Sequence, residues 1–150
     1  MELLITMLLL IALGVIIFGI ITYVFMGLSL SGAAEVEEIE KKWFAWVPIL
    51  NIIILLKLGN KDARYIWVFI GAMIASFLTE SSSNGFLLII NLALFIWTIV
   101  IQIQVYLCIS NKYKINPAWF IIGIFILPIS LVAYILFYNK VKRIKEVLVI

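Results

Sequence analysis

The chain has 150 residues, of which 66% are apolar and 13% are charged, and it carries a formal net charge of +3. The mean hydropathy of +1.25 is far above that of soluble globular domains, in which about 45–50% of the residues are apolar. A water-soluble fold of this length has too little interior to bury that much apolar surface. The composition therefore excludes a soluble globular protein and predicts a single all-α, polytopic transmembrane domain over residues 1–150.

Charge-free apolar runs predict the membrane-spanning helices. A helix needs about 20 apolar residues to cross about 30 Å of hydrocarbon, and three of the runs are longer than that. A fourth run, which starts at Tyr65, is shorter, but Asp62 can cap its helix and the Arg64 side chain can reach the interface. We predict about four transmembrane helices, over residues 3–28, 63–80, 86–110 and 117–138.

The first run resembles a secretory signal, because Ser31, Gly32 and Ala33 follow it in the manner of a cleavage site. A signal starts with basic residues and has an apolar core of about 7–15 residues. Here Glu2 precedes a much longer apolar run. The sequence therefore predicts that this helix is retained as a span.

A second apolar stretch, residues 43–57, is too short to span and is interrupted by Pro48, which breaks helical hydrogen bonding. We predict a short interfacial or re-entrant helix here, with its tryptophans at headgroup depth. Ahead of it, acids followed by lysines over residues 35–42 predict a short charged helix. Both belong to a predicted cytoplasmic or interfacial segment, residues 33–64.

The positions of the 11 basic residues predict the topology, because cytoplasmic loops are enriched in lysine and arginine. No basic residue lies between residues 79 and 86, so this loop is predicted to lie outside, and the N-terminus with it. A fourth span over 117–138 would carry the basic C-terminal tail, residues 139–150, outside against the same rule. If that segment turns at Pro128 and returns, all the basic residues lie inside. The sequence leaves both arrangements open, and the four-span one is preferred.

Polar residues inside predicted spans need partners in hydrocarbon. Asn91, Thr98 and Gln102 fall on one face of the third span. Asn51 lies three residues after Pro48, where it can satisfy backbone groups that the proline leaves without partners. These four residues are candidates for interhelical or partner hydrogen bonds, with a pore or ligand path as the alternative. The structural interpretation is preferred, because such bonds commonly fix helix packing.

Small residues four apart on the second span, Gly71 with Ala75 and Ala72 with Ser76, let another helix approach closely. The pattern predicts tight packing, either within the chain or between copies.

The tail predicts contact with lipid headgroups, since a polybasic segment beside a span attracts anionic lipid. Its basic residues are Lys140, Lys142, Arg143 and Lys145. The small net charge and the lack of a stacking platform argue against a nucleic-acid partner.

The residue types needed for most catalytic sites are missing. The chain has no histidine, and none of its eight acidic residues falls within a predicted span. A histidine metal site, a serine–histidine triad and an intramembrane aspartate pair are therefore excluded. The sequence predicts a protein that is not an enzyme, with no cofactor and no metal.

Trp43, Pro48 and Asn51 form the pattern W-x4-P-x2-N, and a Leu-Pro pair at Pro128 lies in the last apolar segment. Together they resemble a family of small bacterial multi-pass membrane proteins with about four hydrophobic segments and no assigned chemistry. The resemblance covers residues 41–139, and it departs from the family pattern at residues 80–85. It implies a bacterial cytoplasmic membrane location and supplies no catalytic residue.

Three functions fit these features. The preferred one is a small accessory or structural subunit that binds other membrane proteins or its own copies through helix packing. The alternatives are a small oligomeric pore, transport component or membrane-permeabilising effector, and an immunity-type protein that binds a membrane-active peptide. The predicted partners are the lipid bilayer and either other membrane proteins or copies of this chain.

Overall fold

A computed structural model describes residues 1–81 and 85–148, in which all regular elements are helical. Six α-helices follow one another with two short 3₁₀ helices between them, at Lys42–Trp46 and Ala63–Tyr65. Residues 82–84 of the predicted outer loop and 149–150 of the predicted tail lie outside the described residues. The helices are α1 (Glu2–Val36), α2 (Asn51–Leu58), α3 (Ile66–Ser81), α4 (Gly85–Tyr113), α5 (Pro117–Phe125) and α6 (Leu127–Leu148).

Three helical segments are long and apolar enough to cross a membrane: Glu2–Val36, Ala63–Ser81 and Gly85–Tyr113. They confirm helices over the predicted spans 3–28, 63–80 and 86–110. The predicted cap of the second segment is also confirmed, because the Asp62 carboxylate accepts a hydrogen bond of 2.8 Å from the Arg64 backbone N–H.

The prediction of a separate charged helix over residues 35–42 is wrong. Glu35 lies in the last turn of α1, which continues to Val36. The chain then turns at Glu38 and Lys41, which both adopt left-handed backbone conformations, with φ of 53° and 61°. Helix α1 therefore extends beyond its charge-free run. The Glu35 carboxylate in its last turn forms ion pairs with lysine side chains, which are described below.

The predicted single helix over residues 43–57 is also divided. A 3₁₀ helix, Lys42–Trp46, is followed by a turn that contains Pro48, and α2 begins only at Asn51. Pro48 cannot donate a backbone hydrogen bond and therefore favours the turn that precedes the helix. Trp46 packs against α1, where a Cβ atom added to Gly27 would lie 2.8 Å from its indole ring. The absence of a side chain at Gly27 makes room for this indole.

The predicted transmembrane helix over residues 117–138 is wrong as a continuous helix. α5 ends at Phe125, Ile126 is extended with φ −125° and ψ 103°, and α6 then begins. Pro128 lies in the first turn of α6, a position that proline tolerates well.

The two helices α5 and α6 fold back on each other as an antiparallel hairpin. The ring of Phe120 lies 5.9 Å from that of Phe137, although these residues are far apart in sequence. Nearer the turn, a Cβ atom on Gly123 would lie 2.9 Å from the Ser130 Cα atom. Gly123 thus permits the close approach of the two backbones, and the segment returns towards the level at which α5 begins.

α6 runs parallel to the last turns of α1. The Ser29 hydroxyl donates to the Tyr134 carbonyl oxygen at 2.9 Å, and Gly32 packs against Val141. At the end of both helices, Lys145 Nζ lies 2.9 Å from a Glu35 carboxylate oxygen. Since α6 extends to Leu148, most of the predicted tail continues this helix.

Candidate functional site

The molecule has a packed end, which contains most of the buried residues, and three largely uncovered helical segments. We call these segments the arms: the first part of α1, and the helices α3 and α4. Apart from Phe69 and Ala75 on α3, the buried residues lie within residues 27–59, 98–115 and 120–141. No residue is buried in the most apolar stretch of α1. In the most apolar stretches of Ala63–Ser81 and Gly85–Tyr113, 11% of the residues are buried. The packed end therefore holds the core, whereas the apolar surfaces of the arms lie open.

The first arm stands alone. Every residue of α1 from Glu2 to Ile17 is exposed, and a Cβ atom added to Gly14 or Gly19 would meet no neighbouring atom within 4 Å. The other two arms, α3 and α4, pack on each other as a hairpin. Apolar surface of this extent on separate helices needs either lipid or another protein to cover it.

A polar contact joins α3 to α4. The Ser76 hydroxyl donates a hydrogen bond of 3.0 Å to the side-chain oxygen of Asn91. The contact borders a cavity of about 300 Å³ that is also lined by Leu88, Leu92 and Phe95. Asn91 and Ser76, which are candidates for separate reasons in the sequence, are thus partners, while the amide N–H groups of Asn91 remain donors.

The rest of the polar stripe does not continue this contact. Thr98 is buried, and its hydroxyl donates to the Phe95 carbonyl oxygen of its own helix at 2.7 Å. Gln102 is half-buried further along α4. Gln104, on the other side of the helix, accepts a hydrogen bond of 2.6 Å from Lys61 Nζ. The structure therefore brings Asn91 together with Ser76 and gives Thr98 a local partner.

The small residues of α3 separate into covered and open positions. Ala75 is buried and Ala72 is half-buried, but a Cβ atom added to Gly71 would meet nothing within 4 Å. Close helix approach at Gly71 therefore does not occur within the described chain. Asn51, the remaining polar candidate, is 7% exposed at the start of α2, just beyond the Pro48 turn.

Charged side chains tie together the last turns of α1, α4 and α6 at the packed end. One Glu37 carboxylate oxygen lies 2.6 Å from Lys112 Nζ, and the other accepts a hydrogen bond of 2.8 Å from the Tyr113 hydroxyl. Glu35 lies 3.3 Å from Lys42 and 2.9 Å from Lys145. The ends of the three helices therefore meet at one level of the molecule.

The four basic residues selected in the tail occupy different surfaces. Lys142 and Lys145 line a groove between α1 and α6, together with Ser31, Gly32 and Tyr138. Lys140 and Arg143 are exposed on α6 and do not line this groove. The groove has a volume of about 270 Å³. We call it the α1–α6 groove.

An aromatic cluster holds the hairpin against α4, and sequence reasoning did not find it. The ring of Phe120 stacks on that of Tyr106 at 5.0 Å, and the Tyr106 and Tyr134 hydroxyls lie 3.1 Å apart. Tyr134 is 6% exposed and therefore belongs to the buried core. Phe137 completes the cluster and contacts Tyr113 at 4.9 Å. Only the spacing of aromatic residues along α5 and α6 could have indicated these contacts, and that spacing is also typical of lipid-facing helices.

Within residues 1–81 and 85–148 no group of three or more histidine, cysteine, aspartate or glutamate side chains is placed to hold a metal ion. Comparison with family models, with curated proteins and with solved structures gave no significant match. Over the described residues, the structure defines the class of the protein as all-helical, with three helices long and apolar enough to cross a membrane.

Proposed function

We propose that this chain is a multi-pass protein of a bacterial cytoplasmic membrane and acts as a small, non-catalytic accessory or structural subunit. Its uncovered helical arms bind other membrane proteins or copies of the chain through helix packing. One observation carries the proposal: the arms expose apolar and small-residue faces that no other part of the described chain covers.

The chemistry of the arms supports assembly over catalysis. Helices associate in lipid through close packing at small residues and through interhelical hydrogen bonds. The open space beside Gly71 offers the first, and the remaining amide donors of Asn91 offer the second.

We also propose a topology of three spans and one returning hairpin, with the N-terminus outside. The contacts Glu37–Lys112 and Glu35–Lys145 support it, because they hold the ends of α1, α4 and α6 together. α5 has 9 residues and extends about 13 Å at 1.5 Å per residue, less than half of the hydrocarbon core. With this topology all 11 basic residues face the cytoplasm, which agrees with the enrichment of lysine and arginine in cytoplasmic loops.

The first test is to purify the tagged protein from its native host in mild detergent and to measure the mass of the complex. We expect a complex heavier than one chain, either with a defined larger membrane protein or with further copies. A monomer that brings down no membrane protein would contradict the proposal.

A matched pair of variants makes this test specific. Gly71→Ile fills the open space on α3 and is expected to reduce the complex without unfolding the chain, because a Cβ atom added there meets no neighbouring atom within 4 Å. Met73→Ile changes a side chain that is 58% exposed on the opposite side of the same helix. This control should keep the complex, and equal loss in both variants would argue against packing at Gly71.

A small oligomeric pore is the second candidate, and the polar contact between Ser76 and Asn91 at the border of a cavity favours it. In such a pore several copies would place Asn91 and Gln102 along a wet path. Asn91→Leu with Gln102→Leu separates the two functions. Loss of ion conductance in reconstituted vesicles with intact assembly would favour the pore, whereas unchanged flux would favour the accessory role.

A further inference from the structure

The α1–α6 groove lies where two parallel helices separate. Gly32 brings the helices close, since a Cβ atom there would lie 2.9 Å from the Val141 side chain. Beside this contact the helices leave a cavity of about 270 Å³, whose lining includes Leu28, Ser31 and Tyr138. A second cavity of about 210 Å³ continues past Lys145 towards Glu35. The groove is thus a concave surface with an apolar side and a polar side.

The polar side of the groove carries hydrogen-bond donors. Lys142 and Lys145 contribute ammonium groups, and Ser31 and Tyr138 contribute hydroxyl groups. Ammonium and hydroxyl donors around one cavity match the acceptor oxygens of a phosphate group. Lysine binds phosphate as a point charge and does not require a fixed approach direction.

The local charge is positive even after the ion pairs are counted. The Glu35 carboxylate lies near both Lys42 and Lys145, so one negative charge is shared by two positive charges. Within residues 1–81 and 85–148 no carboxylate lies within ion-pair distance of Lys142. The charged residues that line the two cavities are Lys142, Lys145 and Glu35, so their net charge is +1. An anionic group is the complementary occupant.

The surroundings of the groove favour a lipid over a free anion. At Leu28 the groove opens onto the uncovered apolar surface of α1, where Ile21 and Val24 are 41% and 39% exposed. A phosphate bound at the lysines would therefore have apolar surface directly beside it, suitable for acyl chains. Uncovered apolar surface and basic residues meet in this way at the edge of a bilayer.

We propose that the α1–α6 groove is a binding site for the phosphodiester headgroup of an anionic phospholipid, whose acyl chains lie along α1. Lys142 and Lys145 bind the phosphate, and Ser31 and Tyr138 donate hydrogen bonds to its oxygens. The site stands independently of the assembly role, because it is built from α1 and α6 and not from the α3–α4 hairpin. The site is also more specific than a general attraction of the basic tail to lipid, because Lys140 and Arg143 are not part of it.

The test is native mass spectrometry of the whole protein with phosphatidylglycerol and, separately, with phosphatidylcholine. The compared variants are Lys142→Gln and Lys140→Gln, which remove the same charge from opposite sides of α6. We expect Lys142→Gln to weaken phosphatidylglycerol retention about fivefold, the effect of one basic residue near an anionic headgroup, and Lys140→Gln to leave it within about twofold. Phosphatidylcholine, which carries no net charge, should be retained weakly by all three proteins.

Each of three results would overturn the proposal. Equal weakening by both substitutions would mean that the tail attracts lipid through its overall charge alone. Displacement of phosphatidylglycerol by millimolar inorganic phosphate would identify a soluble anion as the occupant. A variant that keeps every charge, Ser31→Leu, narrows the groove and should reduce retention as well, so retention unchanged in Ser31→Leu would also count against the site.

Discussion

At the scale of single residues, two buried serines of the core differ in their hydrogen bonding. The Ser29 hydroxyl lies 2.6 Å from the Phe25 carbonyl oxygen and 2.9 Å from that of Tyr134, so it links α1 to α6. For the Ser110 hydroxyl on α4, the described residues provide no hydrogen-bond partner. A buried hydroxyl with a partner stabilises the fold, whereas one without a partner destabilises it.

Replacement of these serines by alanine should therefore have different effects on stability. We expect Ser29→Ala to lower the free energy of unfolding by about 1 kcal/mol, because the link to Tyr134 is lost. Ser110→Ala should leave it unchanged or raise it, because an unsatisfied group is removed. Denaturation of both variants in the same detergent, followed by near-ultraviolet circular dichroism, measures the difference. Equal destabilisation would show that Ser110 has a partner after all.

Glycine positions offer a second comparison at this scale. A Cβ atom at Gly123 would lie 2.9 Å from the Ser130 Cα and 3.0 Å from its backbone nitrogen, which cannot move independently of α6. Gly123→Ala should lower the free energy of unfolding by about 1–3 kcal/mol through overpacking at the hairpin turn. Gly14→Ala, at a position with no neighbour within 4 Å, is the control and should not destabilise the protein. The two melting temperatures in one detergent provide the measurement, and an unchanged value for Gly123→Ala would contradict the close hairpin.

At the scale of the helices, the sequence predicted the elements that depend on local chemistry. α3 and α4 lie within a few residues of their predicted limits, because charge-free runs and the Asp62 cap mark them directly. The hairpin of α5 and α6 was the less favoured alternative, because a proline within a genuine span is common. Hydropathy does not distinguish a segment that spans from one that returns. Its decisive features are the Gly123 contact and the extended Ile126, which depend on tertiary packing.

The candidate site was predictable to a similar degree. Sequence spacing selected Asn91 and Ser76 separately, but it could not pair them, because the partner of a polar group depends on the crossing point of α3 and α4. It selected four basic residues of the tail as one group, and only the packing of α6 on α1 separates Lys142 and Lys145 from the other two. The resemblance to a bacterial membrane family stays a prediction.

The returning hairpin can be tested by labelling. In a Cys108→Ser background, single cysteines at Glu80, Lys114 and Lys140 would be exposed to a membrane-impermeant maleimide on intact spheroplasts. We expect labelling at residue 80 without permeabilisation, and labelling at residues 114 and 140 only after permeabilisation, because α6 returns to the level of the α4 end. Labelling of the residue 140 variant on intact spheroplasts would instead support four spans.

At the scale of the whole molecule, one carboxylate joins the end of α1 to the end of α4. The Glu37 side chain is 16% exposed and contacts both Lys112 and Tyr113. Glu37→Gln removes its charge, and we expect the free energy of unfolding to fall by about 1–2 kcal/mol. Glu38→Gln, in the exposed turn that follows, is the matched control and should have little effect. Chemical denaturation in detergent measures both, and equal effects would argue against a specific role for Glu37.

The length of α1 has a mechanical consequence. Its 35 residues extend about 52 Å at 1.5 Å per residue, well beyond the thickness of a hydrocarbon core, and only the part from Tyr23 onwards is held by the Trp46 and α6 contacts. The free part is therefore a lever with its pivot at Tyr23, whose hydroxyl donates a hydrogen bond to the Trp46 carbonyl oxygen. A helix longer than its bilayer tilts, so thinner membranes should incline this lever more strongly. A change in membrane thickness would then change the tilt of this part of α1. The resulting torque would be transmitted to Trp46 and to the packed end.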